Sequence, residues 1–269
     1  MRAKKSLGQH FLKSPSVVEK IIAAAALRPS DTVLEVGPGK GVLTSALLTK
    51  VAQVIAVEKD NELIHYLTKK FSTEIKKKQL TLLSADILDI DLRSFGLARG
   101  TYKIVANIPY YITGMFLRRF LSNTEYPESM TLLVQKEVAD RILARDKKES
   151  LYSIGIKAYG TPRYIDTVKA GNFSPPPKVD SAILAITDIS KSQFHNIDEE
   201  AFFKVLHAGF AHKRKQIGTN LGLAFRSTLS PEEMCEGCTI SQIARAEDLT
   251  IANWKCLARY YQENKTSPD

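Results

Sequence analysis

Four consecutive residues, Asn107-Ile108-Pro109-Tyr110, carry the groups in this chain best suited to act on an aromatic amine. They follow the apolar run Ile104-Val105-Ala106, which reads as the end of a buried strand. In open α/β sheets that end is where ligands bind. An exocyclic amine such as adenine's is a poor nucleophile, because its lone pair is delocalised into the ring. The side-chain amide oxygen of Asn107 and the main-chain carbonyl of Ile108 could each accept one amine hydrogen. That pairing favours a pyramidal nitrogen with its lone pair exposed and meets the developing positive charge. Pro109 fixes φ and stiffens the turn, and Tyr110 offers a ring on which a base can stack. The same tetrapeptide also fits an Asn-Pro-type turn with a buried tyrosine.

The elements that must position this site can be read upstream. Ser14-Pro15 starts a helix whose apolar face is Val17, Val18, Ile21, Ile22 and Ala25. Thr32 to Val36 is a short strand running into Gly37-Pro38-Gly39-Lys40-Gly41, and a helix follows through Val42 and Leu43 to Leu48. Strand, glycine loop, helix is the phosphate- or nucleoside-binding entry of a doubly wound α/β fold. The loop is not a Walker loop, since Gly41 stands where Ser or Thr is needed, and Val42 replaces the third glycine of a dinucleotide fingerprint. The next strand, Gln53 to Val57, delivers Glu58, 21 residues beyond Gly37. An acid there reaches the two ribose hydroxyls of a bound nucleoside. A third strand, Leu80 to Leu83, precedes Asp86, which could accept from an adenine amine. The glycine loop, Glu58, Asp86 and Asn107 thus fall at the ends of four successive strands.

Further along, the pattern predicts a helix over 114–121, a strand over 131–134 and a helix over 136–144. Segments 153–159 and 164–169 alternate like a closing antiparallel pair, and 182–186 reads as the last strand. Before it, Asn172-Phe173-Ser174-Pro175-Pro176-Pro177 is a stiff, extended path. Phe173 is either a second stacking ring opposite Tyr110 or an anchor in the core. Composition shifts at 191–196, a linker. The division expected is a catalytic domain over 1–190, with a basic arm (Arg2, Lys4, Lys5, Lys13) in residues 1–13, and a small helical domain over 191–269. Helices are expected over 199–211, 217–224, 231–235, 240–244 and 251–261. Lys213-Arg214-Lys215 ends the first of these and reads as a solvated face or as a contact for RNA backbone.

The 269 residues carry 44% hydrophobic residues, a net charge of +9 and a pI of about 9.3, which point to a polyanionic partner, nucleic acid first. The early apolar run from Ile21 to Leu27 is too short to span a bilayer, and no signal-peptide apolar region opens the chain. Three cysteines, Cys235, Cys238 and Cys256, are expected to be reduced, incidental thiols in a cytoplasmic setting; Cys235 and Cys238 have half of a zinc spacing and no second half. The five histidines have neither metal-ligand spacing nor a triad pattern, so no metal is expected.

The chain resembles the ribosomal RNA adenine dimethyltransferases over nearly its whole length, and within them the small-subunit (16S) branch. The resemblance rests on Gly8-Gln9-His10-Phe11-Leu12, Glu35-Val36-Gly37-Pro38-Gly39-Lys40-Gly41, Val57-Glu58-Lys59-Asp60, Asp86, Asn107-Ile108-Pro109-Tyr110, Gln135-Lys136-Glu137-Val138, Phe173 to Ser181 and Arg245-Ala246-Glu247. It implies a Rossmann-like class I methyltransferase sheet, S-adenosylmethionine as methyl donor, and dimethylation of two adjacent adenosines near the 3′ end of small-subunit rRNA. It implies that His10 and Leu12 close over the donor, Gly37 lies against its methionine part, Glu58 holds its ribose and Asp86 its adenine amine. Asn107 would border donor and target, with Tyr110 and Phe173 sandwiching a flipped base. Many members carry asparagine where this chain has His10; an imidazole still hydrogen-bonds, with a dependence on protonation. The partner implied is the immature small subunit, with neither DNA nor membrane, for a protein expected to be monomeric. The alternatives are a large-subunit rRNA methyltransferase conferring antibiotic resistance, which shares the tetrapeptide, and a mainly non-catalytic ribosome assembly factor. The triple-proline loop and helical tail favour the small-subunit enzyme.

Overall fold

The computed structural model describes residues 3–4, 7–226 and 228–265; Arg2 and Lys5 of the basic arm lie outside them. The chain forms two compact units, Met1–Ala139 with Gly160–Ser190, and Asp140–Tyr159 with Lys191–Asp269. Residues 140–159, placed by the sequence in the first domain, group with the helical tail.

In chain order the elements are β1 (Phe11–Leu12), α1 (Pro15–Ala24), β2 (Thr32–Val36), α2 (Val42–Leu48), β3 (Gln53–Glu58), α3 (Asn61–Lys70), α4 (Ser72–Lys76), β4 (Leu80–Ser84), β5 (Tyr102–Asn107), α5 (Thr113–Ser122), β6 (Ser129–Gln135) and α6 (Lys136–Leu143). Then follow α7 (Leu151–Lys157), β7 (Thr161–Val168), β8 (Phe173–Ser174), β9 (Ser181–Thr187), α8 (Glu199–Phe210), α9 (Ile217–Phe225), α10 (Pro231–Gly237) and α11 (Ile251–Asn264).

The first unit is built on a seven-stranded sheet of order β4-β3-β2-β5-β6-β9-β7. β2 to β6 are parallel, and β9 and β7 close the edge antiparallel. The inner parallel strands are buried along almost their whole length, as expected for a sheet covered on both faces. From β2 the chain adds β3 and β4 on one side, then crosses to add β5 on the other. The order therefore reverses between β2 and β5, and their carboxyl ends flank a crevice.

Two expectations fail here. Residues 153–159 are not a strand; most of the segment lies in α7, and β7 pairs with β9 instead. The alternation of Ile154 and Ile156 competes with the helical spacing Leu151, Ile154, Ala158, and a capping box decides it. The Ser150 hydroxyl accepts from the Ser153 amide, and the Ser153 hydroxyl accepts from the Ser150 amide. Residues 240–244 are not a helix. The carbonyls of Gln242 and Ala244 accept from the Gly218 and Ile217 amides at the start of α9, and five residues are too few to hold a helix against such partners.

The second unit has its own core, with Trp254, Phe202, Val205, Leu206, Leu221 and Leu257 among its members. Cys238, at the end of α10, meets Cys256 on α11 and the two are joined in a disulfide, with Cα atoms 5.7 Å apart; Cys235 is buried and free. The expectation of three free thiols is corrected for that pair, because the chain folds back between two cysteines separated by 18 in sequence and closes the gap. Among the described residues no helix is long and apolar enough to cross a membrane.

Candidate active site

The crevice at the strand-order reversal opens into a cleft of about 870 Å³, its mouth included. Its walls come from the arm (Leu7 to Leu12), the glycine loop, Glu58 and Lys59, and Asn107 to Tyr111.

The glycine loop keeps its shape through left-handed backbone. Gly39 and Gly41 have φ of 57° and 73°. A Cβ on Gly39 would lie 2.9 Å from the Phe11 ring, and one on Gly41 would lie 2.5 Å from Phe71. Both backbone angle and space therefore require glycine. Gly37 lies beside the end of β5, where an added Cβ would sit 3.4 Å from the Asn107 carbonyl. This contact joins the loop to the tetrapeptide.

Glu58 ends β3, and its carboxylate is engaged twice. Oε1 accepts from the Asp60 amide at 2.9 Å and Oε2 from the Gly39 amide at 3.3 Å. Burial raises its pKa and these amides oppose the shift. Asp60 caps α3 by accepting from the Glu62 amide. It also receives the Lys4 ammonium at 2.7 Å and the Gln9 side-chain amide at 3.0 Å. The arm is thus tied down at the same strand end that carries Glu58. The sequence does not mark Lys4, Gln9 or Asp60 as site residues. Gly8-Gln9-His10-Phe11-Leu12 and Val57-Glu58-Lys59-Asp60 mark the two segments, but no local pattern shows that Lys4 and Asp60, 56 residues apart, meet.

At the end of β5, the Asn107 amide nitrogen donates to the His10 carbonyl at 3.1 Å. Its oxygen remains as an acceptor. The Ile108 carbonyl accepts no hydrogen bond among the described residues. Tyr110 follows in a 3-10 turn, its hydroxyl 2.6 Å from that of fully buried Ser181 at the start of β9. Burial raises the pKa of this phenol, against the Ser181 contact. The His10 ring lies nearly parallel to the Tyr110 ring, with centroids 6.0 Å apart and planes 22° apart. His10 Nδ1 donates to the Pro175 carbonyl at 2.8 Å, which orients the imidazole.

Phe173 does not face this slot. It is 1% exposed, pairs with Leu12 between β1 and β8, and packs in the core of the sheet's first unit. The stacking expectation is corrected in favour of the core anchor. An apolar ring on a two-residue strand gains more from burial than from solvent, and the ring beside Tyr110 in this structure is His10. Asp86 lies beyond β4 and is not part of the cleft wall. Its carboxylate takes the Lys59 ammonium at 2.7 Å and the Leu88 amide at 2.9 Å, and Lys59 lowers its pKa most. Lys59 itself lines the cleft. Leu12 and Gly37 line it too. Lys213, Arg214 and Lys215 are exposed in the second unit, just after α8.

Glu35, one residue before the end of β2, reads in the sequence as a lone acid within an apolar run. It is 1% exposed and lines the cleft, and neither carboxyl oxygen has a hydrogen-bond partner. Burial pushes its pKa up to about 8; the nearby Thr44 hydroxyl opposes the shift and the Glu58 charge adds to it. A buried carboxyl without partners is costly, so the cleft wall holds a group fit to receive a cation or donor from a ligand.

Glycine loop, acid at the next strand end and amide at the fourth define a nucleoside-binding α/β enzyme of the methyltransferase class. The Ribosomal RNA adenine dimethylase family model matches residues 1–263. A ribosomal RNA small subunit methyltransferase A of Dehalococcoides mccartyi is 43% identical over 98% of this chain and 90% of its own length. A protein of that name from Fusobacterium nucleatum is 37% identical over 96% and 97%. The crystal structure of a dimethyladenosine transferase from Plasmodium falciparum superposes with a TM-score of 0.83 at 24% identity, covering 95% of this chain and 98% of that one. That of the 23S rRNA methyltransferase ErmE gives 0.74 at 24%, covering 92% and 98%; both likenesses concern the fold. This chain belongs to the ribosomal RNA adenine dimethylase family.

Proposed function

We propose that this protein transfers methyl groups from S-adenosylmethionine to the N6 amines of two adjacent adenosines near the 3′ end of small-subunit rRNA, in the maturing subunit. One observation carries the reading: the Asn107 amide oxygen and the Ile108 carbonyl stand as two acceptors without donors beside the glycine loop and Glu58, in one cleft. The names of the relatives at 37–43% identity support the small subunit over the large one.

The residues fit the donor. It carries a ribose, an ammonium and a sulfonium; Glu58 would accept from the ribose hydroxyls and the unpartnered Glu35 carboxyl would meet positive charge. When bound, the donor supplies an activated methyl group whose leaving group is a neutral thioether. Asn107 and Ile108 would hold the two amine hydrogens, directing the nitrogen lone pair at the methyl carbon and stabilising the ammonium that forms. The nitrogen then sheds one proton to solvent before a second transfer. Tyr110, fixed by Ser181, would stack the target base on its ring. Lys213, Arg214 and Lys215 would engage RNA phosphates from the second unit. We place the protein in the cytoplasm as a monomer.

The test is tritium transfer from S-adenosylmethionine to unmethylated small subunits, large subunits and duplex DNA, side by side. Label on adenines of the small-subunit RNA alone is the expected result. Label only on large subunits or DNA overturns the reading.

A further inference from the structure

The uncovered face of α5 carries an ordered set of side chains that the core does not explain. From the 3-10 turn onward, Ile112, Phe116, Leu117, Phe120 and Leu121 point inward and are buried. Tyr111, Gly114, Met115, Arg118 and Ser122 are exposed, at the helical spacing of a single stripe. Tyr111 is 59% exposed and Met115 55%. Large apolar side chains set side by side in water mark an interaction surface. Tyr111 also lines the cleft, next to Tyr110. Its ring is backed by the arm, since a Cβ on Gly8 would lie 3.3 Å from Tyr111 Cδ1. One end of the stripe is therefore continuous with the site. Toward the other end stands Arg118, whose side chain has no hydrogen bond or ion pair among the described residues. Arg119 beside it is committed to the Ile90 carbonyl.

We infer that this stripe is the track for the RNA strand adjoining the target adenosine, with a flanking base stacked on Tyr111 and a phosphate held by Arg118. The inference rests on the reading of the cleft given above. Tyr111 and Arg118 are seven residues apart, about 10 Å along a helix, so one short strand segment reaches both. Between them Gly114 presents no side chain and Met115 offers a soft, adaptable surface. The unpartnered guanidinium and the net charge of +9 favour a polyanion over an apolar protein partner. An aromatic ring supplies stacking to any base.

The test uses the full chain and unmethylated small subunits. Wild type, Tyr111→Phe, Tyr111→Ala and Arg118→Gln are compared for subunit affinity at several salt concentrations and for methyl transfer, with donor affinity measured for Arg118→Gln. Tyr111→Ala is expected to weaken subunit binding by about five- to a hundredfold, while Tyr111→Phe stays near wild type. Arg118→Gln is expected to flatten the slope of log affinity against log salt by about 0.7 and to keep donor affinity. Unchanged affinity and slope in Tyr111→Ala and Arg118→Gln overturn the track, and leave the stripe to a protein partner. Equal losses in Tyr111→Phe and Tyr111→Ala overturn stacking. A wild type that binds subunits but labels none overturns the functional reading instead, and the binding arms still decide the track.

Discussion

The cleft and the basic segment after α8 both carry charge, but they carry it differently. Around the cleft nearly every ion has a fixed partner: Lys4 with Asp60, Lys59 with Asp86, and Glu58 with two main-chain amides. At Lys213, Arg214 and Lys215 the cations stand exposed, directly after a helix that ends at Phe210. A charge engaged by a fixed partner holds atoms in place, at a cost in side-chain entropy. Solvated charge fixes little in the free protein but remains available to a polyanion. On this contrast we propose that the geometry-dependent chemistry belongs to the first unit and the salt-dependent affinity to the second.

Asn107→Ala would break the contrast most sharply. Removing an acceptor aimed at developing charge is expected to lower turnover by about a hundred- to a thousandfold, with subunit binding kept. Steady-state rates at saturating donor and RNA, read beside a binding isotherm, check it; retained turnover would move the chemistry elsewhere.

Glu35→Gln tests the buried end of the contrast through stability. With the folded pKa near 8 against 4.5 in the unfolded chain, Glu35 is held neutral. Its contribution is fully present below about pH 4.5 and is lost as pH rises through about 8. The wild type should therefore lose stability relative to Glu35→Gln across that window, by an amount on the order of a few kcal/mol. Denaturant unfolding at pH 5 and pH 8.5 measures the difference, and parallel pH profiles would show Glu35 ionised throughout.

Glu58→Ala should lower donor affinity by about tenfold or more, since removing the acceptors of two hydroxyls costs about 1–3 kcal/mol. Calorimetry reads this directly. Asp86→Ala should cost less, because the carboxylate is turned to Lys59. Equal losses in the two variants would put Asp86 in the cleft after all.

Reversing Lys213, Arg214 and Lys215 to glutamate should leave donor affinity at the wild-type level. The salt slope of subunit binding should flatten by about 0.7–0.9 for each phosphate that is no longer neutralised. Normal binding across salt would make the segment a solvated face and shift RNA docking to the first unit.

The sheet was legible because its buried parallel strands are mostly apolar runs bounded by polar or glycine residues; Thr32–Val36 is read to the residue. The placement of Glu58 and Asn107 at strand ends followed from the same runs. What escaped depends on partners distant in sequence. Phe173 is buried because β8 pairs with β1, more than 150 residues earlier. Asp60 gathers Lys4 and Gln9 across 56 and 51 residues, and Cys238 finds Cys256 through the packing of two helices. Glu35 looks like any strand residue until its surroundings show no partner. Residues 153–159 failed for the opposite reason: two periodicities coexist there, and the serines that decide between them are local but weaker in the pattern than the alternation.

The most direct measurement of the central claim is mass spectrometry of small-subunit RNA after reaction of unmethylated subunits with the wild-type protein and S-adenosylmethionine. The account predicts two neighbouring N6-dimethyladenosines near the 3′ end, a yield about a hundred- to a thousandfold slower to form with Asn107→Ala, and a reduced yield with the charge-reversed protein at subsaturating subunit concentration. Methyl groups on another nucleotide, or equal yields from wild type and Asn107→Ala, would contradict it.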